Sequence, residues 1–321
     1  MIPEVIVNEE QVKKLLDIGE AVDAVEKAFR LYALGQCEMP PKLYLDLPQF
    51  NGDFRAMPAY IDGVAGMKWV SVYPKNSKYD LPTVIATIIL SDSTTSVPLA
   101  LVSGTYLTSA RTGAAGGVAA KYLARKDSSV MGLIGAGAQA RTQLAATKYA
   151  VPGVQLVKVY DPRRDMAEAF SSDLSAQLGL DIVVVDSIEE AAQSDIIVTT
   201  TPSRSPVLLK KHVRPGTHIN AIGADAEGKQ ELESELMLSS KIVVDDMAQA
   251  CHSGEVNVPL SCGLLNRQDI YCSLGEIVAG IKKGRESDDE ITVFDSTGLA
   301  IQDIVCAKLV YEKARVASSI A

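Results

Sequence analysis

Four side chains in this chain are suited to moving protons or to gripping a small acid: Lys42, Arg55, Lys68 and Asp225. Lys68 sits between Met67 and Trp69 in an apolar, β-prone run. A lysine desolvated in such surroundings loses charge stabilisation, and its lowered pKa suits proton transfer or amine chemistry. The plainer reading is a strand-end lysine whose ammonium reaches solvent. Arg55 precedes Ala56-Met57-Pro58, and its planar fork matches a carboxylate, although an ordinary salt bridge would use it equally well. Asp225 follows Asn220-Ala221-Ile222-Gly223-Ala224. A carboxylate there could hold an ammonium or take a proton; a turn aspartate is its plain alternative. His218 reads as a packed core histidine.

A second chemistry is written in Val130-Met131-Gly132-Leu133-Ile134-Gly135-Ala136-Gly137-Ala138-Gln139-Ala140. An apolar strand runs into Gly-x-Gly-x-x-Ala and then a helical pattern. The glycines allow a tight turn and close approach of a pyrophosphate, and the helix offers it unpaired N–H groups. A second strand ends at Asp161, 24 residues after Gly137, near the spacing of a ribose-binding carboxylate. Such an acid favours NAD, whereas Arg163 and Arg164 just beyond it could tolerate NADP. A glycine-rich turn in an unrelated α/β protein is the alternative. Arg111 and Thr112 open what reads as a helix to about Ala124, and its start would suit a phosphate; a tightly packed helix entry with a surface arginine is equally compatible.

The elements that must position these groups fall into two patterns. Residues 9–35 read as two helices, with Asp17 and Glu20 as a capping box, and Gly35 as a stop. Residues 40–105 read as an antiparallel sheet in which 83–90 and 97–102 form a hairpin. Beyond residue 128, strands at 130–134, 154–161, 182–186, 195–201, 218–223 and 241–245 alternate with helical or loop segments such as 166–178 and 187–193. Their Val/Ile runs indicate a parallel sheet covered on both faces. A strand-like 290–295 precedes a long helix over 299–317 that is expected to pack back on the first domain. The expected fold is α/β: a Rossmann-type, doubly wound parallel sheet over 119–299, and a discontinuous α+β domain from 1–118 plus 300–321.

The 321 residues suffice for two such domains, and 47% hydrophobic with 22% charged residues is ordinary for a globular protein. A net charge of −9 disfavours nucleic acid as a partner. No apolar run reaches membrane-span length, so no membrane partner is expected. Met1-Ile2-Pro3-Glu4 has neither a basic run nor an apolar stretch, so a secretory leader is not expected and a cytoplasmic setting is. The five cysteines form no Cys-x-x-Cys pair and read as free thiols; with three histidines, no metal centre is expected.

The chain resembles the ornithine cyclodeaminase/mu-crystallin family along essentially its whole length. The marks are Arg55-Ala56-Met57-Pro58, Leu81-Pro82-Thr83, Arg111-Thr112-Gly113-Ala114-Ala115, Gly135-x-Gly137-x-Gln139-Ala140, Thr199-Thr200-Thr201-Pro202, Gly223-Ala224-Asp225-x-x-Gly228-Lys229 with Glu231-Leu232, and Phe294-Asp295-Ser296-Thr297-Gly298-Leu299-Ala300-x-x-Asp303. The resemblance implies a homodimer joined through the discontinuous domain, with a nicotinamide cofactor in the cleft. By position, Thr83, Arg111, Thr112, Gly135, Gly137, Gln139, Ala140, Asp161, Arg163, Thr201, Ile222, Gly223, Ala224, Lys229 and Ser296 would surround the cofactor. Lys68 and Asp225 would be the proton-transfer pair, and Lys42, Arg55 and Thr297 would hold the substrate. In ornithine cyclodeaminases the element leading into Met-Pro begins with an acid, as in Glu-Leu-Met-Pro, which suits a distal ammonium. Arg55 stands at that place in this chain, and a cation suits a short keto acid instead. Lys42 replaces the cyclodeaminase carboxylate-binding arginine, keeping the charge but losing the fork. The implied activity is NAD-dependent, reversible reductive amination of pyruvate with ammonia to L-alanine. Ornithine cyclodeamination, ketimine reduction and a non-catalytic, crystallin-like cofactor-binding role are the alternatives.

Overall fold

The computed structural model describes residues 3–320; Met1, Ile2 and Ala321, at the ends of the segments read above, lie outside them. The chain divides into two compact units, residues 1–111 with 299–321 and residues 112–298. The division falls inside one helix, Thr105–Leu123.

The first unit is built on a seven-stranded sheet: β1 (Val5–Val7), β2 (Cys37–Glu38), β3 (Leu43–Leu47), β4 (Gly52–Ile61), β5 (Val64–Val72), β6 (Val84–Asp92) and β7 (Pro98–Ser103). Its ladders are antiparallel except at one edge, where β1 runs parallel to β7. Alternation sets two faces. Arg55, Met57, Ala59 and Ile61 of β4, Lys68 and Val70 of β5, and Ala86, Ile88 and Leu90 of β6 are buried. The C-terminal helix, Ala300–Ile320, packs against β4, β5, β6 and β7 and against the helix Ile18–Ala33. That helix starts where Asp17 accepts the N–H groups of Gly19 and Glu20, half of the expected capping box, and stops at Gly35 with φ 67°. The opposite sheet face leaves Tyr60, Trp69, Ile85 and Ile89 exposed.

The second unit holds an all-parallel, eight-stranded sheet: β8 (Val130–Ile134), β9 (Leu156–Tyr160), β10 (Asp181–Val184), β11 (Ile196–Thr199), β12 (His218–Ala221), β13 (Lys241–Val244), β14 (Ile270–Ser273) and β15 (Thr292–Asp295). Their order is β10-β9-β8-β11-β12-β15-β13-β14. Apolar residues from alternate positions form one core on each face: Met131, Leu133, Ile196 and Val198 in one, Ile134, Ile197, Ile219 and Val293 in the other. Two strands depart from the expected six. Residues 270–273 add an edge strand, and 292–295, expected as part of the tail, are inserted between β12 and β13. A four-residue strand buried on both faces carries no alternation, so the sequence gives no sign of its place in the order.

The helix expected to begin at Arg111 begins at Thr105 instead. Thr105 to Ala110 mix polar with apolar residues, and the glycine-rich stretch that looked like a start lies mid-helix. Among the described residues no helix is long and apolar enough to cross a membrane. All five cysteines are free.

Candidate active site

In the first unit the backbone brings Lys68 opposite Met57 on one side and Ile88 on the other. Its side chain is 1% exposed, which overturns the solvent-reaching alternative. Its Nζ stands 2.9 and 2.8 Å from the two carboxylate oxygens of Asp303, which comes from the C-terminal helix. Arg111 Nε donates to the same Asp303 Oδ1 at 2.9 Å, and Arg111 Nη1 donates to Gln302 Oε1 at 3.0 Å. Two buried cations thus share one carboxylate. Burial first, and Arg111 next, push the Lys68 pKa down to about 7, against the pull of Asp303; Lys42 lowers it further.

Arg55 is buried on the same sheet face. Its Nε and Nη2 donate to the two oxygens of Asp53 at 2.6 and 3.2 Å, and its guanidinium lies over the Tyr44 ring, 5.3 Å from the centroid. The fork is thus engaged by the Asp53 carboxylate, as in the salt-bridge alternative. Lys42 is half-buried and Thr83 is exposed.

Arg111 and Thr112 require a correction. They sit in the second turn of their helix and beyond, where the N–H groups are already bonded, so they offer no helix start to a phosphate. The Arg111 guanidinium serves Asp303 and Gln302. Thr112 contributes its carbonyl to Gln143 Nε2 at 3.0 Å.

In the second unit the candidate groups gather at the carboxyl ends of the strands, the edge where open α/β sheets bind ligands. Gly135 has φ +103°, and a Cβ on it would lie 2.7 Å from Thr200 Oγ1. A Cβ on Gly137 would meet nothing within 4 Å, so there is open room before the helix Ala138–Ala150, whose start has no side-chain cap. Ala140 is buried in that helix. Asp161 accepts the N–H groups of Ala136 at 3.0 Å and Arg163 at 2.9 Å. Arg163 is 70% exposed, and Arg164 is taken up by Glu168 and Asp186. Gln139 Oε1 and Ser296 Oγ are buried polar atoms without a hydrogen-bond partner, which fits a site completed by a polar ligand.

Beneath this edge lies a set of buried carboxylates to which the sequence reading gives no role. Glu231 accepts the Thr199 hydroxyl at 2.7 Å, the Thr201 N–H at 2.6 Å and the Gly223 N–H at 2.7 Å. It ties the turns after β11 and β12, including Ile222, Gly223 and Ala224, to one point. Glu255 accepts the Glu231 and Leu232 N–H groups, and burial pushes Glu231 up from its ordinary value and Glu255 well above it. Asp295, at the end of β15, is pushed up to about 8 by burial. Asp245 accepts the Thr297 hydroxyl at 2.9 Å and N–H at 2.7 Å, so the polar atoms of Thr297 hold a turn.

Asp225 is partly exposed and receives Lys229 Nζ at 2.5 Å. Within its own unit Lys68 holds Asp303, and Asp225 holds Lys229. His218 is a core histidine, bonded to Thr292 and Asn220 and pushed down to about 3 by burial. Among the described residues no group of three or more His, Cys, Asp or Glu is placed to hold a metal. One signal for Asp303 was available: an aspartate inside the apolar helical run Leu299–Cys306 must be paired. Its partner, 235 residues away, was not visible.

Residues 3–318 match the model of the ornithine cyclodeaminase/mu-crystallin family. The chain is 54% identical over 309 residues to an alanine dehydrogenase of Archaeoglobus fulgidus, covering 96% of this chain and 94% of that one. A solved archaeal alanine dehydrogenase dimer with bound NAD superposes with a TM-score of 0.94 at 53% identity, covering 98% and 97% of the two chains. The Delta(1)-pyrroline-2-carboxylate reductase of Thermococcus litoralis, solved with NADH and L-proline, gives a TM-score of 0.95 at 42% identity and covers 98% of each chain. With its order of motifs, its parallel sheet and a match over nearly every residue, the chain belongs to the ornithine cyclodeaminase/mu-crystallin family.

Proposed function

We propose that the protein is an NAD-dependent alanine dehydrogenase, interconverting pyruvate plus ammonia and L-alanine. The observation that carries the reading is Lys68, a buried lysine with its pKa lowered to about 7 on the same sheet face as the buried Arg55. Such a lysine exchanges protons near neutral pH, and the neighbouring cations Arg55 and Lys42 suit a small keto acid. Similarity to the archaeal alanine dehydrogenase supports pyruvate as that acid.

The glycine turn, the open room before helix Ala138–Ala150 and the unpartnered Gln139 and Ser296 atoms fit a dinucleotide. Asp161 would hold the adenine ribose, and Thr201, Ile222, Gly223, Ala224 and Lys229 the nicotinamide end. Thr83 and Thr112 complete the proposed set. The carboxylate of Asp161 favours NAD over NADP, against the pull of Arg163, which lies exposed beside it. When bound, the nicotinamide supplies or accepts the hydride at the substrate carbon. Arg55 and Lys42 fix the substrate carboxylate, a positional contribution. Lys68 in its ammonium form gives a proton to the departing hydroxyl in amination, and its free amine takes one back in deamination. Asp225, held by Lys229, steadies the cationic amine.

The exposed face of the first unit's sheet, with Trp69 stacked on Phe54 at 5.3 Å, is the proposed contact of a homodimer. Charge, and the absence of a membrane-crossing helix among the described residues, fit an enzyme acting on small molecules in the cytoplasm. The test is NADH oxidation by the purified protein with pyruvate and ammonia, run beside ornithine with NAD and a cyclic imine with NADH or NADPH. Pyruvate-dependent loss of NADH is expected. Turnover confined to the cyclic imine would assign the protein to ketimine reduction, confined to ornithine to cyclodeamination, and none at all to a binding role.

A further inference from the structure

Lys68 does not act alone in the first unit. Its ammonium faces both oxygens of Asp303, at 2.9 and 2.8 Å. One of those oxygens also takes Arg111 Nε at 2.9 Å. The helix that carries Asp303 is held tightly against the strand that carries Lys68: a Cβ on Gly66 would lie 2.6 Å from Ile304 Cδ1. Residue 66 is two positions from Lys68 and residue 304 is next to Asp303, so the register of the pair is fixed by close packing. We propose that Asp303 is the positioning residue for proton transfer in this protein, clamping the Lys68 ammonium from the C-terminal helix, and that Arg111, by drawing on the same carboxylate, sets how readily Lys68 releases its proton.

The charged and titratable groups around Lys68 come from every element packed there. Arg111 comes from the helix Thr105–Leu123, Lys42 from the segment before β3, and Arg55 with Asp53 from β4. Asp303 and Cys306 come from the C-terminal helix. β6 contributes the apolar Ile88. Cys306, one turn beyond Asp303, has its thiol pushed far above its ordinary range by burial, with Asp303 adding to it, and stays neutral. At Lys68 the pull of Asp303 works against Arg111 and Lys42. In the amination step the Lys68 ammonium gives its proton to the carbinolamine hydroxyl, the C–O bond breaks, water leaves and the nitrogen lone pair closes the C=N bond. Lys68 becomes a neutral amine. Without Asp303 the ammonium would be buried beside Arg111 with nothing to hold it.

The inference rests on Lys68 being the proton-transfer residue, and the experiment separates the two. The pH dependence of kcat for amination is measured for the wild type, Asp303→Asn, Asp303→Glu and Arg111→Gln, with NADH affinity measured alongside. For the wild type, kcat is expected to fall on the alkaline side of a step near pH 7. Asp303→Asn moves that step acidward by about one pH unit or more, because the carboxylate bonded to the ammonium is gone. Arg111→Gln moves it the other way, and Asp303→Glu returns it toward the wild type. NADH affinity of Asp303→Asn stays within about twofold, a change of less than roughly 0.5 kcal/mol. Opposite shifts from two substitutions in one cluster are not produced by a loss of packing. If Asp303→Asn does not fold, the alkaline shift of Arg111→Gln carries the test. A step that stays in place in the folded variants overturns the role of Asp303. A Lys68→Met variant that keeps its turnover overturns the reading of Lys68 instead.

Discussion

The carboxylate of Asp161 accepts the backbone N–H of Ala136 at 3.0 Å, joining the end of β9 to the glycine turn after β8. The other oxygen takes the Arg163 N–H at 2.9 Å. Each oxygen keeps a lone pair for a ribose hydroxyl, and the negative charge repels a 2′-phosphate. Asp161→Ser is expected to raise KM for NAD by ~10–100-fold, the scale of one or two lost hydrogen bonds to a charged group. Use of NADP should rise relative to NAD, since Arg163 is exposed and near. Steady-state kcat/KM for both coenzymes checks this; an unchanged ratio would exclude Asp161 from coenzyme choice.

Glu231 fastens Thr199, Thr201 and Gly223 through one carboxylate. Glu231→Gln turns an NH₂ group toward at least one of these donors and leaves a buried N–H or O–H unserved, at ~1–3 kcal/mol. Because those donors belong to the turns that would hold the nicotinamide, dinucleotide binding should weaken by ~10-fold or more. Quenching of protein fluorescence on NADH titration measures it, and affinity equal to the wild type would show that Glu231 does no more than support the fold.

Asp295 supplies a dependence of stability on pH. Its ordinary value is 3.8, and burial raises it to about 8 in the folded chain. Between those values the folded protein binds the proton and the unfolded chain does not, so this group's contribution is full below about pH 4 and is lost as pH rises through 8. Asp295→Asn keeps an oxygen for the Val256 N–H and has no proton to lose. Its Tm should gain on that of the wild type between pH 5 and 9, and a constant difference across that range would mean that Asp295 is ionised in the fold.

Trp69 is 40% exposed at the centre of the open sheet face. Trp69→Glu places a charge there and should convert a dimer into a monomer while leaving the unit's buried face untouched, since alternate residues point to opposite faces. Sedimentation velocity reads the outcome directly, and a Trp69→Glu protein that still sediments as a dimer locates the contact elsewhere.

The periodic features were legible in the sequence. Strands β8 to β13 and the helix of residues 300–320 stand close to their expected bounds, and the glycine turn and Asp161 stand together as the spacing requires. Contacts made through space were not. Asp303 meets Lys68 across 235 residues, and no local pattern names that partner. Thr297 lies in a motif, and its donors serve Asp245, 52 residues earlier. The glycines after Arg111 suggest a helix start there, whereas packing continues the helix six residues further back. Local propensity marks where the chain bends and alternates, but only the folded arrangement shows what each charge meets.

The insertion of β15 between β12 and β13 sets the order in which the protein can be made. Strands β13 and β14 have no link to the rest of the second unit's sheet until residue 295 has been synthesised, and the first unit's sheet lacks its covering helix until residues 300–320 follow. At translation rates of about 5–20 residues per second, the seven strands completed by residue 103 wait roughly 10–40 s for that helix. During that time Lys68 has no Asp303, and the apolar face of the sheet has no cover. The core of the first unit therefore closes only once residues 300–320 have been added.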